Sequence, residues 1–229
     1  MERRCGAVWW RGLSGGGLQI GLLCCVVVSG IGGVGCSRGG DGGGGALGQG
    51  AVVFLGDSLT ARHELSGDTR LYPEILGKKW GREVVNLSMS GMRADQALAR
   101  FGKEIDRLDT GGVAACILVL GANDQLAGRT GGEFKSDLGD ISRKLQGRGW
   151  RVFVVRAMVP LRGGGGDYED AYQAVASEAG TPLSDDIVSA YLRQPGGTGG
   201  DGIHPSAEGH AMIAEALDQD FGGILGEGK

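Results

Sequence analysis

Short apolar runs alternate along this chain with longer segments whose apolar residues recur at helical spacing. The runs lie at 51–55, 84–87, 115–120 and 152–159 and are rich in Val, Ile and Leu. None of them alternates strictly between apolar and polar residues, so both faces of each predicted strand are expected to be buried. Strands that alternate with helices join through right-handed crossovers. The sequence therefore predicts a parallel sheet covered on both faces, a three-layer α/β/α domain.

Four segments between or after these runs have the apolar spacing of an amphipathic helix. The residues of the four stripes are Ala94, Ala97, Leu98, Phe101, Ile105 and Leu108; Phe134, Leu138, Ile141 and Leu145; Tyr168, Ala171, Tyr172, Val175, Ala176 and Ala179; and Ala207, Ala211, Ala214, Leu217 and Phe221. Each stripe predicts a helix that packs one face against the sheet. A fifth short strand is expected near 182–184, so the predicted sheet has five strands.

Glycine divides the chain into a leader and a body. The chain has 229 residues and 48 glycines, of which 18 fall within residues 1–50. Residues 51–229 have the length of one domain, and 41% of the chain is apolar, which is enough for a sizeable core. The net charge of −4 argues against a nucleic-acid partner, because binding to phosphates needs a basic face.

The leader has the order of a secretory signal peptide. Three arginines precede an apolar stretch at 18–34, and the small residues Gly-Val-Gly lead to Cys36. Small residues before a cysteine resemble the lipobox of bacterial lipoproteins, in which the cysteine carries the lipid. We therefore expect a signal peptide at 1–35, lipidation of Cys36 and a place at the membrane of the bacterial cell envelope. An uncleaved anchor and plain secretion are the alternatives.

The segment after the lipobox predicts a flexible tether. Residues 36–50 are rich in glycine and would hold the domain away from a membrane surface. Processing at Cys36 would leave one further cysteine, Cys116, which lies within an apolar run. A disulfide framework is therefore not expected, and Cys116 is predicted to be a small core residue.

Four polar segments contain between them the parts of a hydrolytic site. They are Gly56-Asp57-Ser58-Leu59-Thr60, Ser88-Met89-Ser90-Gly91, Gly121-Ala122-Asn123-Asp124 and Asp201-Gly202-Ile203-His204-Pro205. The first three follow predicted strands, whose carboxyl ends lie at one edge of a parallel sheet, where ligands bind. Acyl transfer to a hydroxyl needs a nucleophile, a base, a carboxylate that orients the base, and donors for an oxyanion.

These segments resemble the SGNH (GDSL) hydrolase family, and their spacing is most similar to its lysophospholipase and thioesterase I branch. The resemblance implies that Ser58 is the nucleophile, His204 the general base and Asp201 the carboxylate that orients it. It also implies an oxyanion hole made of the backbone N–H groups of Ser58 and Gly91 and the side-chain amide of Asn123. A serine in a strand-to-helix turn lies near a helix N-terminus, whose unpaired N–H groups favour negative charge.

The resemblance covers about residues 51–221 and implies a flavodoxin-like strand order in which the first three strands are neighbours. It implies a serine esterase that works through an acyl-enzyme and needs no cofactor. It favours acyl esters, thioesters or lysophospholipids as substrates, whereas other branches with the same residues remove acetyl groups from carbohydrates. A catalytically silent lipoprotein that binds an acyl or glycan ligand is the alternative from a different functional class.

Other polar residues have simpler interpretations. Asp57 is predicted to form structural hydrogen bonds beneath the nucleophile turn rather than to act as a catalytic acid. His63 and His210 have no carboxylate three residues before them, so we expect His63 on a surface loop and His210 on a helix face. Three histidines at unsuitable spacings and the lack of a cysteine pair predict no metal site.

Overall fold

Five parallel strands form the centre of the domain in the computed structural model. They are β1 Ala51–Gly56, β2 Val84–Asn86, β3 Val113–Val119, β4 Arg151–Arg156 and β5 Leu183–Asp186. Their order in the sheet is β2-β1-β3-β4-β5, which is the flavodoxin-like order. The predicted α/β class, the five strands and the neighbouring positions of the first three strands are confirmed.

The structure describes residues 50–62, 70–100, 104–107, 112–160 and 166–226. Several predicted features lie outside these residues. In the leader they are the signal peptide at 1–35, the lipidated Cys36 and all of the tether except Gly50. In the body they are His63, Phe101 and Leu108. Among the helices that are described, none is both long enough and apolar enough to cross a membrane.

Seven α-helices cover the two faces of the sheet in the described part of the chain. They are α1 Tyr72–Trp80, α2 Ala94–Ala99, α3 Ala122–Leu126, α4 Gly131–Gly147, α5 Gly166–Ala179, α6 Ile187–Tyr191 and α7 Ala207–Leu225. Helices α1, α6 and α7 pack on one face, and α2, α4 and α5 on the other. Along β1, Val52 and Phe54 join the first core and Val53 and Leu55 the second, because successive side chains of a strand point to opposite faces.

The agreement between predicted and observed helices is best for α4 and α5. The four stripe residues of α4 are fully buried, and those of α5 are buried except Ala179, which is half-buried. Helices α1, α3 and α6 are absent from the sequence-based prediction. Helices α3 and α6 have five residues each, too few for a helical repeat to be visible in the sequence.

The first predicted stripe does not form one helix. Helix α2 ends at Ala99, and Ile105 lies in a separate 3-10 turn. Just after α2, the guanidinium of Arg100 donates to the carbonyl oxygen of Leu87 at 2.7 Å. This contact joins two different elements, so the spacing of apolar residues within one segment could not reveal it.

The buried face of α7 also differs from the predicted stripe. Ala207 and Ala211 are exposed, and the first turns of the helix bury Gly209 and His210 instead. Gly209 lies so close to the preceding loop that a Cβ atom would come within 2.0 Å of the carbonyl oxygen of Gly197. Close packing of that loop on the helix therefore determines which face of its first turns is buried.

Candidate active site

Ser58 lies in a tight turn directly after β1, at the carboxyl edge of the sheet. The carboxylate of Asp57 accepts the N–H of Leu59 at 3.0 Å, and the carbonyl oxygen of Asp57 accepts the N–H groups of Thr60 and Ala61. These bonds fix the backbone on both sides of Ser58. The described residues form a single turn here rather than the start of a helix, so the expected helix N-terminus at Ser58 is wrong.

His204 and Asp201 meet Ser58 at this edge. The Nε2 atom of His204 lies 2.9 Å from the Oγ atom of Ser58, and its Nδ1 atom lies 2.5 Å from the Oδ2 atom of Asp201. The other carboxylate oxygen of Asp201 accepts the N–H groups of Ile203 and His204, each at 3.0 Å. The hydrogen bond from the His204 ring, followed by the one from the Ile203 N–H, lowers the pKa of Asp201 to about 2. The carboxylate that faces the ring is therefore ionised at neutral pH.

The loop that carries His204 is held by neighbouring elements. Tyr191 of α6 donates its hydroxyl to the carbonyl oxygen of Ile203 at 2.8 Å, and the carbonyl oxygen of His204 accepts the N–H of Gly199 at 2.8 Å. Ser206, two residues after His204, is the N-cap of α7. The backbone at His204 is therefore fixed from α6, from the preceding loop and from α7, which leaves the ring little freedom to move away from Ser58.

Asn123 follows β3 and contacts the nucleophile turn. Its amide nitrogen donates to the Oδ2 atom of Asp57 at 2.8 Å and lies 3.4 Å from the carbonyl oxygen of Met92. Asp57 thus joins the loops that follow β1 and β3, and it has the structural role expected of it. Burial raises the pKa of Asp57 to about 6, although the hydrogen bonds from Leu59 and Asn123 act in the opposite direction.

Two residues beside Asn123 fix the same loop and were not predicted. Asp124 is fully buried, and its carboxylate accepts the first N–H of α2 and a hydrogen bond from Arg129 at 2.7 Å. The side-chain oxygen of Gln125 accepts the N–H of Val159 at 2.8 Å. An acidic residue directly after Asn123, near the end of a predicted strand, could have indicated a role for Asp124. The sequence does not indicate which residues bind Asp124 or Gln125.

Gly91 lies in the loop after β2 with a φ of 74°, in the left-handed region. This loop is attached to the nucleophile strand, because the N–H of Met89 donates to the carbonyl oxygen of Gly56 at 3.0 Å. Gly91 itself is exposed and is not among the residues that line the cavity at Ser58. Of the three expected oxyanion donors, Ser58 and Asn123 therefore line that cavity and Gly91 does not.

The cavity beside Ser58 has a volume of about 400 Å³. Its polar side is formed by Asp57, Ser58, Asn123 and His204, and its other walls are mostly apolar: Leu59, Ala122, Leu126, Val159, Pro160, Val188, Tyr191, Leu192, Gly202 and Ile203. Leu126 and Ile203 are 65% and 59% exposed, so the mouth of the cavity is apolar as well. The hydroxyl of Ser58 therefore faces a space suited to an apolar group.

The remaining predicted residues lie in the core. Cys116 is fully buried in β3, and burial raises the pKa of its thiol well above the usual range, which makes it unreactive. His210 is also buried, with its ring centre 6.0 Å from that of Tyr72, so it lies on the core-facing side of α7. Within the described ranges there is no group of three or more His, Cys, Asp or Glu residues arranged to hold a metal ion.

Comparison with known proteins finds a family model and relatives that match the part of the chain containing this site. A family model described as GDSL-like lipase/acylhydrolase matches residues 54–212, a range that contains all four polar segments of the site. The thioesterase 1/protease 1/lysophospholipase L1 of Escherichia coli strain K12 is 28% identical over 170 residues, which cover 72% of this chain and 79% of the relative. The arylesterase of Vibrio mimicus is 27% identical over 178 residues, which cover 74% of this chain and 87% of the relative.

Solved structures share the fold over most of their length. The crystal structure of TesA matches with a TM-score of 0.67 at 23% identity, covering 76% of this chain and 99% of that one. The psychrotrophic esterase EstA from Pseudoalteromonas sp., inhibited by monoethylphosphonate, matches with a TM-score of 0.67 at 18% identity and covers 76% and 97% of the two chains. At these identities the likeness establishes the fold.

Proposed function

The chain belongs to the GDSL-like lipase/acylhydrolase family and is an ester-hydrolysing serine hydrolase, and we propose that Ser58 is its nucleophile, His204 its general base and Asp201 the carboxylate that orients the base. The observation that carries this assignment is the continuous pair of hydrogen bonds from Ser58 through His204 to Asp201, at 2.9 Å and 2.5 Å. A base at this distance can accept the hydroxyl proton while the oxygen attacks a carbonyl carbon.

The proposed reaction has two halves that use the same base. In the first, the Oγ atom of Ser58 bonds to the carbonyl carbon, its proton passes to Nε2 of His204, and the imidazolium then protonates the departing alcohol or thiol. In the second, His204 takes a proton from water while the water oxygen bonds to the acyl carbon, and the imidazolium then gives that proton to the Oγ atom of Ser58 as the acyl–oxygen bond breaks and the acid leaves. The ionised carboxylate of Asp201 stabilises the imidazolium in both halves, because it contacts the opposite ring nitrogen.

Asn123 is the proposed side-chain donor for the oxyanion. Its amide has two N–H groups. Asp57 holds one of them at 2.8 Å, and the substrate oxygen would take the other in place of its long 3.4 Å contact with the carbonyl oxygen of Met92. We propose the backbone N–H groups of Ser58 and Gly91 as the further donors. The support for Gly91 comes from its loop. The N–H of Met89, in the same loop, donates to the carbonyl oxygen of Gly56 at the end of β1, which holds the loop close to Ser58.

Covalent labelling tests the nucleophile directly. A fluorophosphonate probe should modify the peptide that contains Ser58, and Ser58→Ala should lose the label and roughly 10⁴-fold or more of its ester hydrolysis. Ser90→Ala is the matched control, since Ser90 is an exposed serine at the same edge of the sheet. Label on a different peptide, or near-parental turnover by a folded Ser58→Ala variant, would refute the assignment.

The proposed substrates are acyl esters, thioesters and lysophospholipids with an apolar acyl group. The apolar walls and mouth of the 400 Å³ cavity support this class, because they can enclose a hydrocarbon chain beside the nucleophile. The names of the curated relatives, a thioesterase/lysophospholipase and an arylesterase, are consistent with it. An acetyl group alone would leave most of that space without a ligand.

Hydrolysis of p-nitrophenyl acetate and p-nitrophenyl octanoate distinguishes the candidate substrates. We expect a higher kcat/KM for the octanoate, because its chain can fill the apolar cavity. A strong preference for the acetate would favour a carbohydrate O-deacetylase. No turnover of any ester, with the protein folded, would favour a ligand-binding lipoprotein without catalysis.

For localisation, we propose that the protein is exported and held at a membrane by a lipid on Cys36. The order of arginines, apolar stretch, small residues and cysteine in the leader supports this proposal. The chain expressed in a bacterium should incorporate labelled palmitate, and Cys36→Ser should abolish the incorporation, whereas Cys24→Ser should not. Membrane retention of Cys36→Ser without label would indicate an uncleaved anchor, and release of the parent protein would indicate plain secretion.

A further inference from the structure

A second cavity of about 360 Å³ lies next to the one that contains Ser58. The two cavities share four apolar lining residues, Val159, Pro160, Val188 and Leu192. The second cavity therefore adjoins the one at Ser58, although Ser58 itself does not line it. The second cavity has a different character, because four of its other lining residues are polar or charged: Glu169, Asp186, Ser189 and Arg193.

Asp186 is fully engaged within the fold. One of its carboxylate oxygens accepts the N–H of Met158 at 3.0 Å and that of Val188 at 3.3 Å. The other oxygen accepts both the N–H and the hydroxyl of Ser189, at 3.2 Å and 2.8 Å. This carboxylate caps α6 and ties it to the segment after β4. Its negative charge is therefore already stabilised by four donors of the protein.

Glu169 is paired with a cation, Arg156. The guanidinium of Arg156 donates to its carboxylate from two nitrogens, at 3.0 Å from Nε and 2.8 Å from Nη2. Gln173 adds a weaker contact at 3.3 Å. This bidentate arginine–carboxylate pair offsets the charge of Glu169, whereas Asp186 keeps its charge and has both oxygens occupied by neutral donors.

Arg193 also lines this cavity, and its guanidinium is available to bind a ligand. It follows α6, is exposed, and forms no hydrogen bond or ion pair with any residue that the structure describes. A guanidinium has five N–H donors in a planar fork that matches a carboxylate or a phosphate. Because other groups already bind both acids, the guanidinium of Arg193 is the lining group that would select an anionic ligand over a neutral one.

We propose that the second cavity binds an anionic group of the substrate, a carboxylate or a phosphate, on Arg193 while the ester carbonyl lies at Ser58. This inference rests on the proposed function, since it places the scissile bond at Ser58. Arg193 follows Val188 of the shared wall by five residues, a rise of roughly 7–8 Å at helical spacing, and α6 ends between them at Tyr191. The anionic group is therefore separated from the ester by a linker long enough to cross the apolar wall.

Paired substrates test the inference on the purified full chain. The carboxylate arm compares p-nitrophenyl octanoate with the mono-p-nitrophenyl ester of octanedioic acid, which carries a carboxylate at the far end of the acyl chain. The phosphate arm compares 1-dodecanoylglycerol with 1-dodecanoylglycerol 3-phosphate, which carries the anion on the alcohol side. The two arms distinguish which part of the substrate supplies the negative charge.

The expected result is a selective effect of Arg193→Gln. In at least one arm, kcat/KM for the anionic substrate should fall about tenfold, mainly through KM, while that for the neutral partner stays within about twofold. Arg70→Gln is the control, because Arg70 is exposed, carries the same charge and does not line either cavity. Raising the salt concentration should reduce the preference of the parent protein for the anionic substrate and leave that of Arg193→Gln unchanged.

Two outcomes would overturn the inference. Equal loss on neutral and anionic substrates in both arms would indicate that Arg193 supports the structure of α6 rather than a ligand. No loss in either arm would indicate that the guanidinium does not contact substrate. Failure of the proposed function has a different signature, since the parent protein would then hydrolyse neither member of any pair.

Discussion

Replacing Asp57 by Asn should change how the stability of the domain depends on pH. The carboxyl group of Asp57 is fully buried, and burial raises its pKa from 3.8 to about 6. The folded state therefore holds the proton of Asp57 more tightly than the unfolded state does. An asparagine at this position cannot ionise, so any pH dependence due to this group disappears in the variant.

The size and sign of the effect follow from the two pKa values. The gap between 3.8 and about 6 corresponds to about 3 kcal/mol in the free energy of unfolding. Because the folded-state pKa is the higher one, this stabilisation is fully present below about pH 4 and is lost as the pH rises through about 6. Between pH 4 and pH 7 the parent protein should lose roughly 2–3 kcal/mol through Asp57.

Urea unfolding of the parent and the Asp57→Asn variant at pH 4 and pH 7 measures this loss. Titrating groups that do not interact with Asp57 contribute equally to both proteins, so they cancel in the difference between the two free energies of unfolding. Asn keeps an acceptor for the N–H of Leu59 but places an N–H group against the amide of Asn123, a cost that does not depend on pH. The free energy of unfolding of the variant minus that of the parent should be roughly 2–3 kcal/mol larger at pH 7 than at pH 4. An equal difference at both pH values would refute the reasoning.

Three further substitutions test other parts of the site. Asn123→Ala should lower kcat by about 100- to 1000-fold with a small change in KM, measured by steady-state ester hydrolysis, because it removes an oxyanion donor. Leu126→Trp should narrow the apolar cavity and lower kcat/KM for p-nitrophenyl octanoate more than for the acetate; equal effects would contradict an acyl site there. Arg129→Met should destabilise the domain by about 2–4 kcal/mol in urea, since it leaves buried Asp124 without its cation, whereas Arg143→Met at an exposed ion pair should cost under about 1 kcal/mol.

The strands were predictable because their signal is local. In β1 and β3, uninterrupted apolar residues are needed to fill two cores at once, and this requirement is visible in the sequence of each run. The helices were predictable where one face packs on the sheet along its whole length, as in α4. Prediction was incomplete where a loop covers part of the helix, as at Gly209 in α7.

The candidate site was also predictable only in part. The sequence placed Ser58, Asn123 and His204 in segments expected at one edge, and the structure brings these three residues around one cavity. Gly91 was expected with them and does not line that cavity. The buried acceptor Asp124 holds the loop after β3 from a position next to Asn123, but its partners come from distant segments.

By itself, the sequence determined the fold class, the number of strands and the edge where the reactive groups gather. Apolar patterning within a segment fixes whether it becomes a buried strand, and parallel connections bring the ends of such strands to one side. Only the tertiary structure decided that Arg156 pairs with Glu169 while no described residue pairs with Arg193, and that Asp57 links two loops beneath Ser58. These properties depend on distances between residues far apart in the chain, and patterning within one segment carries no information about such distances.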